Sequence, residues 1–228
     1  MPGSLLADIR PEGLSDRKGT GPLVLARITE RRAVVMRARC VSLILIALAL
    51  RASPAGAGVI RGVVRAPAPD AVIYLERIPN RLERQLARKS APAIVGQAHG
   101  QFTPSVLAIA AGTTVTFRNV DAVYHNVFSV SSARHFDIGK YSPRTQRKVR
   151  FDRPGIVRIF CDIDPGESGY IYVTPNHAYT RPDASGAFEL PGLPRGTYRL
   201  RLWCPGQDLV TREVELPRWG DVNVELRL

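Results

Sequence analysis

Short runs of alternating apolar and polar residues, separated by Gly, Pro and Asp, cover most of the chain after residue 58. Alternation puts successive side chains on opposite faces of a sheet and is typical of half-buried strands. Two early strands are predicted at residues 59–65 and 71–76, joined by a Pro-rich turn. A regular last strand is predicted from the pattern Val222-x-Val224-x-Leu226-x-Leu228. We therefore predict an all-β protein built from antiparallel sandwiches.

One segment, residues 80–89, breaks this alternation. Leu82 and Leu86 are four residues apart, which places them on one face of a helix, and Asn80 is a suitable N-cap. The remaining residues of the segment are mostly charged. We expect a solvated helix that connects two β-rich regions.

Two stretches place metal-binding side chains at the ends of apolar, β-branched runs. The first contains His125, and the second contains the spacing Cys161-x-x-Asp164-x-x-Glu167. A metal site at the mouth of a β-sandwich takes one ligand from an early strand and the others from the loop between the last two strands. The candidate metal ligands are therefore His125, Cys161, Asp164 and Glu167.

The region from about residue 93 to residue 174 resembles the cupredoxins, the plastocyanin-like blue-copper proteins. Within them it is most similar to the methylamine-utilisation type of periplasmic cupredoxin. The resemblance implies a Greek-key sandwich, copper as cofactor, and electron transfer with a redox protein partner. It is carried by the motifs Phe102-x-Pro104-x-Val106-Leu107, Gly112-Thr113-Thr114-Val115-x-Phe117-x-Asn119-x-Asp121, His125-Asn126-Val127-Phe128-Ser129, Phe136-Asp137-x-Gly139, Phe151-Asp152-x-Pro154-Gly155 and Ile159-Phe160-Cys161.

The chain departs from the cupredoxin ligand pattern Cys-x-x-His-x-x-Met. Asp164 stands at the His position and Glu167 at the Met position. Two carboxylates in place of an imidazole and a thioether make the site harder and more anionic, which favours Cu(II) or Zn(II) over Cu(I) and lowers the reduction potential. The alternative is a vestigial site without metal, in which Asp164 and Glu167 are solvated loop acids.

Two other residues affect the predicted ligand set: Cys204, as a disulfide partner of Cys161, and His177, as a further ligand. Cys161 and Cys204 are the two cysteines of the predicted mature chain. In an oxidising compartment, the alternative to metal binding by Cys161 is a disulfide between them. A disulfide would remove Cys161 from any metal. His177, just after the last predicted strand of the cupredoxin-like region, is a substitute ligand.

The C-terminal region resembles the carboxypeptidase regulatory, transthyretin-like sandwich. The predicted strands at residues 59–65 and 71–75 resemble the opening strands of the same module. We expect a nested layout, with residues 58–91 and 177–228 forming a prealbumin-like sandwich around a cupredoxin-like domain at 92–176. The alternative is one continuous cupredoxin with added strands at both ends. The motif that carries this resemblance is Asp183-x-x-Gly186-x-Phe188-x-Leu190-x-x-Leu193-x-x-Gly196-x-Tyr198-x-Leu200.

The N-terminal region reads as a leader rather than as part of the fold. Residues 1–35 have no apolar period and are predicted to lie outside the mature protein, which we expect to be translated from Met36. Residues 36–57 have the order of a signal peptide: basic Arg37 and Arg39, an apolar core at 40–50, and small residues at 55–57. The core is too short to span a bilayer, although an uncleaved anchor is the alternative. We predict a periplasmic or secreted protein without a membrane span in its mature form.

The formal net charge is +12, but the basic residues are scattered and no nucleic-acid recognition motif accompanies them. Nucleic acid is therefore not expected as a partner. No hydrolase or phosphate-binding signature is present, so the chain is not expected to be an enzyme. The predicted function is copper binding with electron transfer or copper handling. The alternative is a metal-free binding or scaffolding protein of the cell envelope.

Overall fold

The structure is a computed structural model that describes residues 57–65 and 68–228, and these belong to one compact unit. The predicted leader at 1–35 and the predicted signal peptide, except Ala57, lie outside the described residues. No helix in the described part of the chain is long and apolar enough to cross a membrane.

The described chain is almost entirely β-structure, so the predicted all-β class is confirmed. The elements in chain order are β1 (Ala57–Gly58), β2 (Ile60–Arg65), β3 (Val72–Leu75), α1 (Asn80–Ala87), β4 (Ala93–Ala98), β5 (Gln101–Thr103), β6 (Val106–Ala110), β7 (Thr113–Asn119), β8 (Phe128–Ser131), β9 (Arg134–Asp137), β10 (Gln146–Phe151), β11 (Gly155–Phe160), β12 (Ser168–Thr174), β13 (Tyr179–Thr180), β14 (Ala187–Glu189), β15 (Leu193–Pro194), β16 (Gly196–Trp203), β17 (Val210–Leu216) and β18 (Val222–Arg227).

The central sandwich consists of a four-stranded and a five-stranded sheet, in the orders β10-β7-β4-β5 and β6-β12-β11-β8-β9. Most neighbours are antiparallel, but β4 runs parallel to β7 and β6 runs parallel to β12. The inward side chains of both sheets form one apolar core that includes Val115, Phe117, Phe151 and Ile171, each fully buried. Cys161 belongs to this core.

A second sandwich is built from strands that precede and follow the central one in sequence. Its sheets have the orders β13-β3-β16-β17 and β14-β2-β18, and β1 pairs with β15. The early strand β3 pairs with β16, and β2 pairs in parallel with β18. Ile73, Leu75, Leu190 and Leu200 are fully buried in the core between these sheets. The flanking strands therefore form sheets of their own and do not extend the sheets of the central sandwich.

The two sandwiches share a small aromatic contact. Tyr172 of the central sandwich packs on Trp203 of the second, with ring centroids 4.6 Å apart, and its hydroxyl donates to the Tyr74 hydroxyl at 3.0 Å. Arg181 donates to the carbonyl of Val106 at 2.8 Å across the same boundary. These contacts bury apolar area and pair the polar atoms that are buried with it.

Helix α1 differs from the sequence prediction in two ways. Pro79 precedes the helix and Asn80 is its first residue, so the predicted Asn80 cap is wrong, and no side chain caps this end. Leu82 and Leu86 pack against the core of the second sandwich, so the helix is not simply a solvated connector. Its only acid, Glu83, accepts hydrogen bonds from the His177 ring at 2.6 Å and the His177 backbone N–H at 2.9 Å.

The space at Gly62 gives a test of the second sandwich. A Cβ at this position in β2 would collide with the carbonyl oxygen of Val224 and lie 2.5 Å from Cζ of Phe188. Overpacking of this kind destabilises by about 1–3 kcal/mol, so Gly62→Ala should lower the free energy of unfolding by that amount. Urea denaturation measures it.

Gly96 in β4 is the matched control, because a Cβ there would have its nearest neighbour at 3.6 Å, an ordinary contact distance. Gly96→Ala should change the free energy of unfolding by no more than about 0.5 kcal/mol. Equal effects at the two glycines would contradict the packing described for β2.

Candidate metal centre

Three of the four predicted ligands lie at one end of the central sandwich, each just outside a strand. His125 lies in the β7–β8 connection, where its backbone forms an isolated bridge with Tyr141. Cys161 directly follows β11, and Glu167 directly precedes β12. The N–H of Cys161 donates to the carbonyl of Glu167 at 3.3 Å, which closes the loop between them. Antiparallel pairing of β11 with β12 thus brings the thiol and the carboxylate together.

The donor atoms of these three residues are separated by distances that suit a single metal ion. Nδ1 of His125 lies 3.8 Å from Sγ of Cys161 and 3.6 Å from Oε2 of Glu167. All three residues offer ligand atoms within 4.8 Å of one another. Ligand atoms about 2.0–2.3 Å from a tetrahedral ion lie roughly 3.3–3.8 Å apart. Little movement is needed for the three groups to bind one ion.

The site is buried, and one of its acceptors is unpaired. His125, Cys161 and Glu167 are 3%, 2% and 1% exposed. Oε1 of Glu167 has no hydrogen-bond partner among the described residues. A buried polar atom without a partner destabilises a fold, so an unpaired oxygen on a carboxylate whose Oε2 lies 3.6 Å from the His125 ring is evidence of a ligand site. The residues present therefore fit a divalent metal ion.

Asp121 orients the His125 ring so that Nδ1 faces the other two donors. Nε2 of His125 lies 2.9 Å from Oδ2 of Asp121. The hydrogen bond from His125, aided by the backbone N–H of His99, holds the pKa of Asp121 below its ordinary value. The ionised carboxylate accepts the Nε2 proton and leaves the Nδ1 lone pair for a metal, which is the arrangement common to metal-binding histidines.

A second chain of hydrogen bonds holds Glu167. Nε2 of Gln97, in β4, donates to Oε2 of Glu167 at 2.7 Å and to the carbonyl of Asn126 at 3.1 Å. The hydroxyl of Tyr141 donates to Oε1 of Gln97 at 2.5 Å. Burial raises the pKa of Glu167, although the hydrogen bond from Gln97 and the nearby His125 oppose the shift. Burial also raises the pKa of Tyr141, so the tyrosine remains a neutral donor.

Asp164 does not join the group. Its Oδ1 accepts from the backbone N–H of Gly166 at 3.1 Å, and its carbonyl accepts from the N–H of Glu167 at 3.0 Å. Asp164 therefore shapes the turn that presents Glu167, and its side chain is directed toward Gly100. The structure brings together three of the four predicted ligands and leaves this one in the loop.

The structure also bears on two alternatives from the sequence: a disulfide between Cys161 and Cys204, and His177 as a metal ligand. Cys161 and Cys204 both have free thiols, so the disulfide alternative is not what the structure contains. His177 is bound to Glu83 and is not part of the group of His125, Cys161 and Glu167.

Sequence reasoning missed the residues that position the ligands. Asp121 lies four residues before His125, and this short spacing could have identified it as a partner of the His125 ring. Gln97 carried no such signal, because it lies in a strand that is distant from His125 in sequence. Tyr141 is brought to the site by the bridge between its backbone and that of His125, a pairing between residues that are distant in sequence.

The solved structures that resemble this chain cover only part of it. No protein-family model matches the chain, and no curated protein matches it. Among solved structures, it is similar to a purple cupredoxin from Nitrosopumilus maritimus with 24% identity and a TM-score of 0.33, over 36% of this chain and 99% of that one.

Two further neighbours are a copper-containing enzyme and an amicyanin variant. A Cu-containing nitrite reductase from Thermus scotoductus has 29% identity and a TM-score of 0.35, over 36% of this chain but only 22% of its own. A reduced amicyanin variant has 23% identity and a TM-score of 0.34, over 38% of this chain and 88% of its own. Each of the three matches covers less than two fifths of this chain. The resemblance of the second sandwich to carboxypeptidase regulatory modules stays a prediction.

The raised pKa of Glu167 predicts how the stability of the metal-free chain depends on pH. Below the ordinary value of 4.5, the folded and unfolded chains both hold this proton. Between this value and the higher pKa of the folded chain, the unfolded chain releases its proton first. The free energy of unfolding therefore falls as pH rises through this range. Glu167→Gln should therefore be more stable than the parent at neutral pH, and the difference should disappear below about pH 4.

Urea denaturation in the presence of a chelator, repeated across pH, measures this difference. A gap that stays constant with pH would show that ionisation of Glu167 is not its source.

Proposed function

We propose that the chain is an exported, cupredoxin-like protein that binds copper through His125, Cys161 and Glu167 and takes part in electron transfer or copper handling. The observation that carries the proposal is the convergence of three buried donor groups of the right kinds at metal-binding separations. A free thiol in this group, with an imidazole already held by Asp121, supports the same role.

The donor set matches the charge of a divalent ion. A thiol that binds a metal is deprotonated, and with the Glu167 carboxylate it balances two positive charges. His125 adds a neutral nitrogen. Bound copper supplies one-electron chemistry, and the surrounding residues fix the donors so that little rearrangement is needed between oxidation states. The backbone bridge of His125 and the closed loop from Cys161 to Glu167 supply this rigidity.

Glu167 sets the character of the proposed site. A carboxylate oxygen is a harder donor than the thioether expected at this position, so it stabilises Cu(II) relative to Cu(I). We propose a copper site of low reduction potential. Such a site suits copper handling, or electron transfer to a partner whose reduction potential is also low.

The surface around the site fits a transient protein partner. The loops that carry the site residues present four large apolar side chains to solvent, Val120, Val123, Tyr124 and Ile163, each 42% to 59% exposed. Exposed apolar groups clustered in sequence beside a buried site are a common feature of interaction surfaces. A redox protein that docks here would approach within a short distance of His125.

The second candidate function is a metal-free binding or scaffolding protein of the cell envelope. It is favoured by Asp164, which lies outside the donor group, and by the hydrogen bond from Gln97 that already satisfies one oxygen of Glu167. The unpaired Oε1 of Glu167 speaks against it. Metal binding decides between the two functions.

The test is a Cu(II) titration of the purified chain, with the visible spectrum and a count of free thiols. A charge-transfer band should grow to one copper per chain and should be absent in Cys161→Ser. Glu167→Gln should weaken copper binding by more than the roughly 10–100-fold typical of losing a partner of a ligand.

Asp164→Asn is the matched control, since it removes a carboxylate in the same loop that lies outside the donor group. Its copper affinity and spectrum should equal those of the parent. A chain with free thiols but no band, or equal losses in the Glu167 and Asp164 variants, would reject the proposed ligand set.

A further inference from the structure

One end of the second sandwich gathers elements from three distant parts of the chain. The register pairs Leu75, at the end of β3, with Leu200 of β16, and β16 extends beyond this pair to Gly196, which pairs with Leu216 of β17. Helix α1 follows β3 at this end, and the turns before β16 and after β17 lie here too. Gly58 approaches Gly220 in the latter turn.

These elements carry a group of exposed basic residues that we call the basic end. Its seven members are Arg77, Arg81, Arg84, Arg88, Lys89, Arg195 and Arg218, all exposed. None of the seven forms an ion pair with another residue in the ranges 57–65 and 68–228.

Helix α1 contributes a cationic face to the basic end. Arg81, Arg84 and Arg88 are spaced by three and four residues and lie on one side of the helix, opposite Leu82 and Leu86 in the core. Glu83, the only acid of the helix, is bound to His177 and does not neutralise this face. The helix therefore presents positive charge without an internal counter-charge.

The acids elsewhere at this end neutralise little of that charge. Glu76 is paired with Arg199 and Arg201, and Asp221 is paired with Arg61. Asp221 shares Arg61 with Glu189, and Glu213 and Glu215 on β17 are exposed acids without an ion pair among the described residues. A clear excess of unpaired positive charge remains.

Trp219 adds an aromatic side chain to the same end. It is 68% exposed in the turn after β17, and the Arg218 guanidinium lies 5.6 Å from its ring centroid. The exposed ring leaves apolar surface in contact with water, whereas at a membrane–water interface a tryptophan ring lies at the headgroup level.

We propose that the basic end is a docking surface for an anionic lipid membrane. The bases contact headgroup phosphates and Trp219 enters the interface, so the chain lies on the membrane without spanning it. The charge complementarity favours an anionic partner, and the exposed Trp219 favours a lipid surface over an acidic protein. This inference is independent of copper binding, because none of its residues belongs to the metal centre.

The test uses the fluorescence of the full chain with two kinds of vesicle, phosphatidylcholine alone and phosphatidylcholine mixed with phosphatidylglycerol. The only two tryptophans are Trp203, which is 5% exposed, and Trp219, so a change in emission reports the basic end and not the N-terminal region. The emission should shift to the blue only with phosphatidylglycerol, and brominated phosphatidylglycerol should quench it. Trp219→Phe should abolish both effects.

Added salt and charge-removing variants test whether vesicle binding depends on the positive charge of the basic end. The shift should weaken as salt shortens the Debye length. Each base near an anionic surface contributes about a fivefold change in affinity, so the triple variant Arg81→Gln, Arg84→Gln, Arg88→Gln should bind about a hundredfold more weakly at low salt. Glutamine is a good helix former, so α1 should remain folded.

The matched control is the triple variant Arg118→Gln, Lys148→Gln, Arg153→Gln, which removes the same charge from exposed positions of the central sandwich. It should bind almost as tightly as the parent. Equal weakening by both triple variants would show that only net charge matters and would overturn the proposal. So would the absence of any shift, or a shift with soluble polyglutamate but not with vesicles, which would assign the surface to an acidic protein.

Discussion

The burial of the Glu167 carboxylate is the constraint on which the candidate centre depends. A carboxylate that is 1% exposed needs hydrogen bonds or positive charge, and Gln97 satisfies only one of its oxygens. The other oxygen has no hydrogen-bond partner among the described residues. The fold tolerates this unfavourable group because β11, β12 and β4 hold its backbone and its partner in place.

The same constraint explains why two hydrogen-bonded chains converge on one small site. Asp121 fixes the ring of His125, and Gln97 with Tyr141 fixes the carboxylate of Glu167. Both chains are formed by protein groups alone, so contacts within the fold hold the donors in position. Preorganisation of this kind keeps the structural change on metal binding small, which is what a one-electron site requires.

The candidate metal centre and the basic end lie on different sandwiches and are built in different ways. The centre is buried, uses three donors and depends on the antiparallel pairing of β11 with β12. The basic end is exposed and depends on which strand ends the second sandwich brings together. Tyr172 and Trp203 join the two sandwiches through a packed aromatic contact. The two proposed roles, metal binding and docking, therefore rest on separate parts of the fold.

The alternation of apolar and polar residues was enough to predict the all-β class, because side-chain direction in a strand follows a local period of two. The motifs around His125 and Cys161 likewise predicted which strand ends carry the donors. The choice between Asp164 and Glu167 could not be predicted, since both follow Cys161 at regular intervals and only the turn closed by the Asp164 carbonyl directs one inward. Gln97 and the basic end also required the tertiary structure, because strand pairing between distant segments brings their residues together.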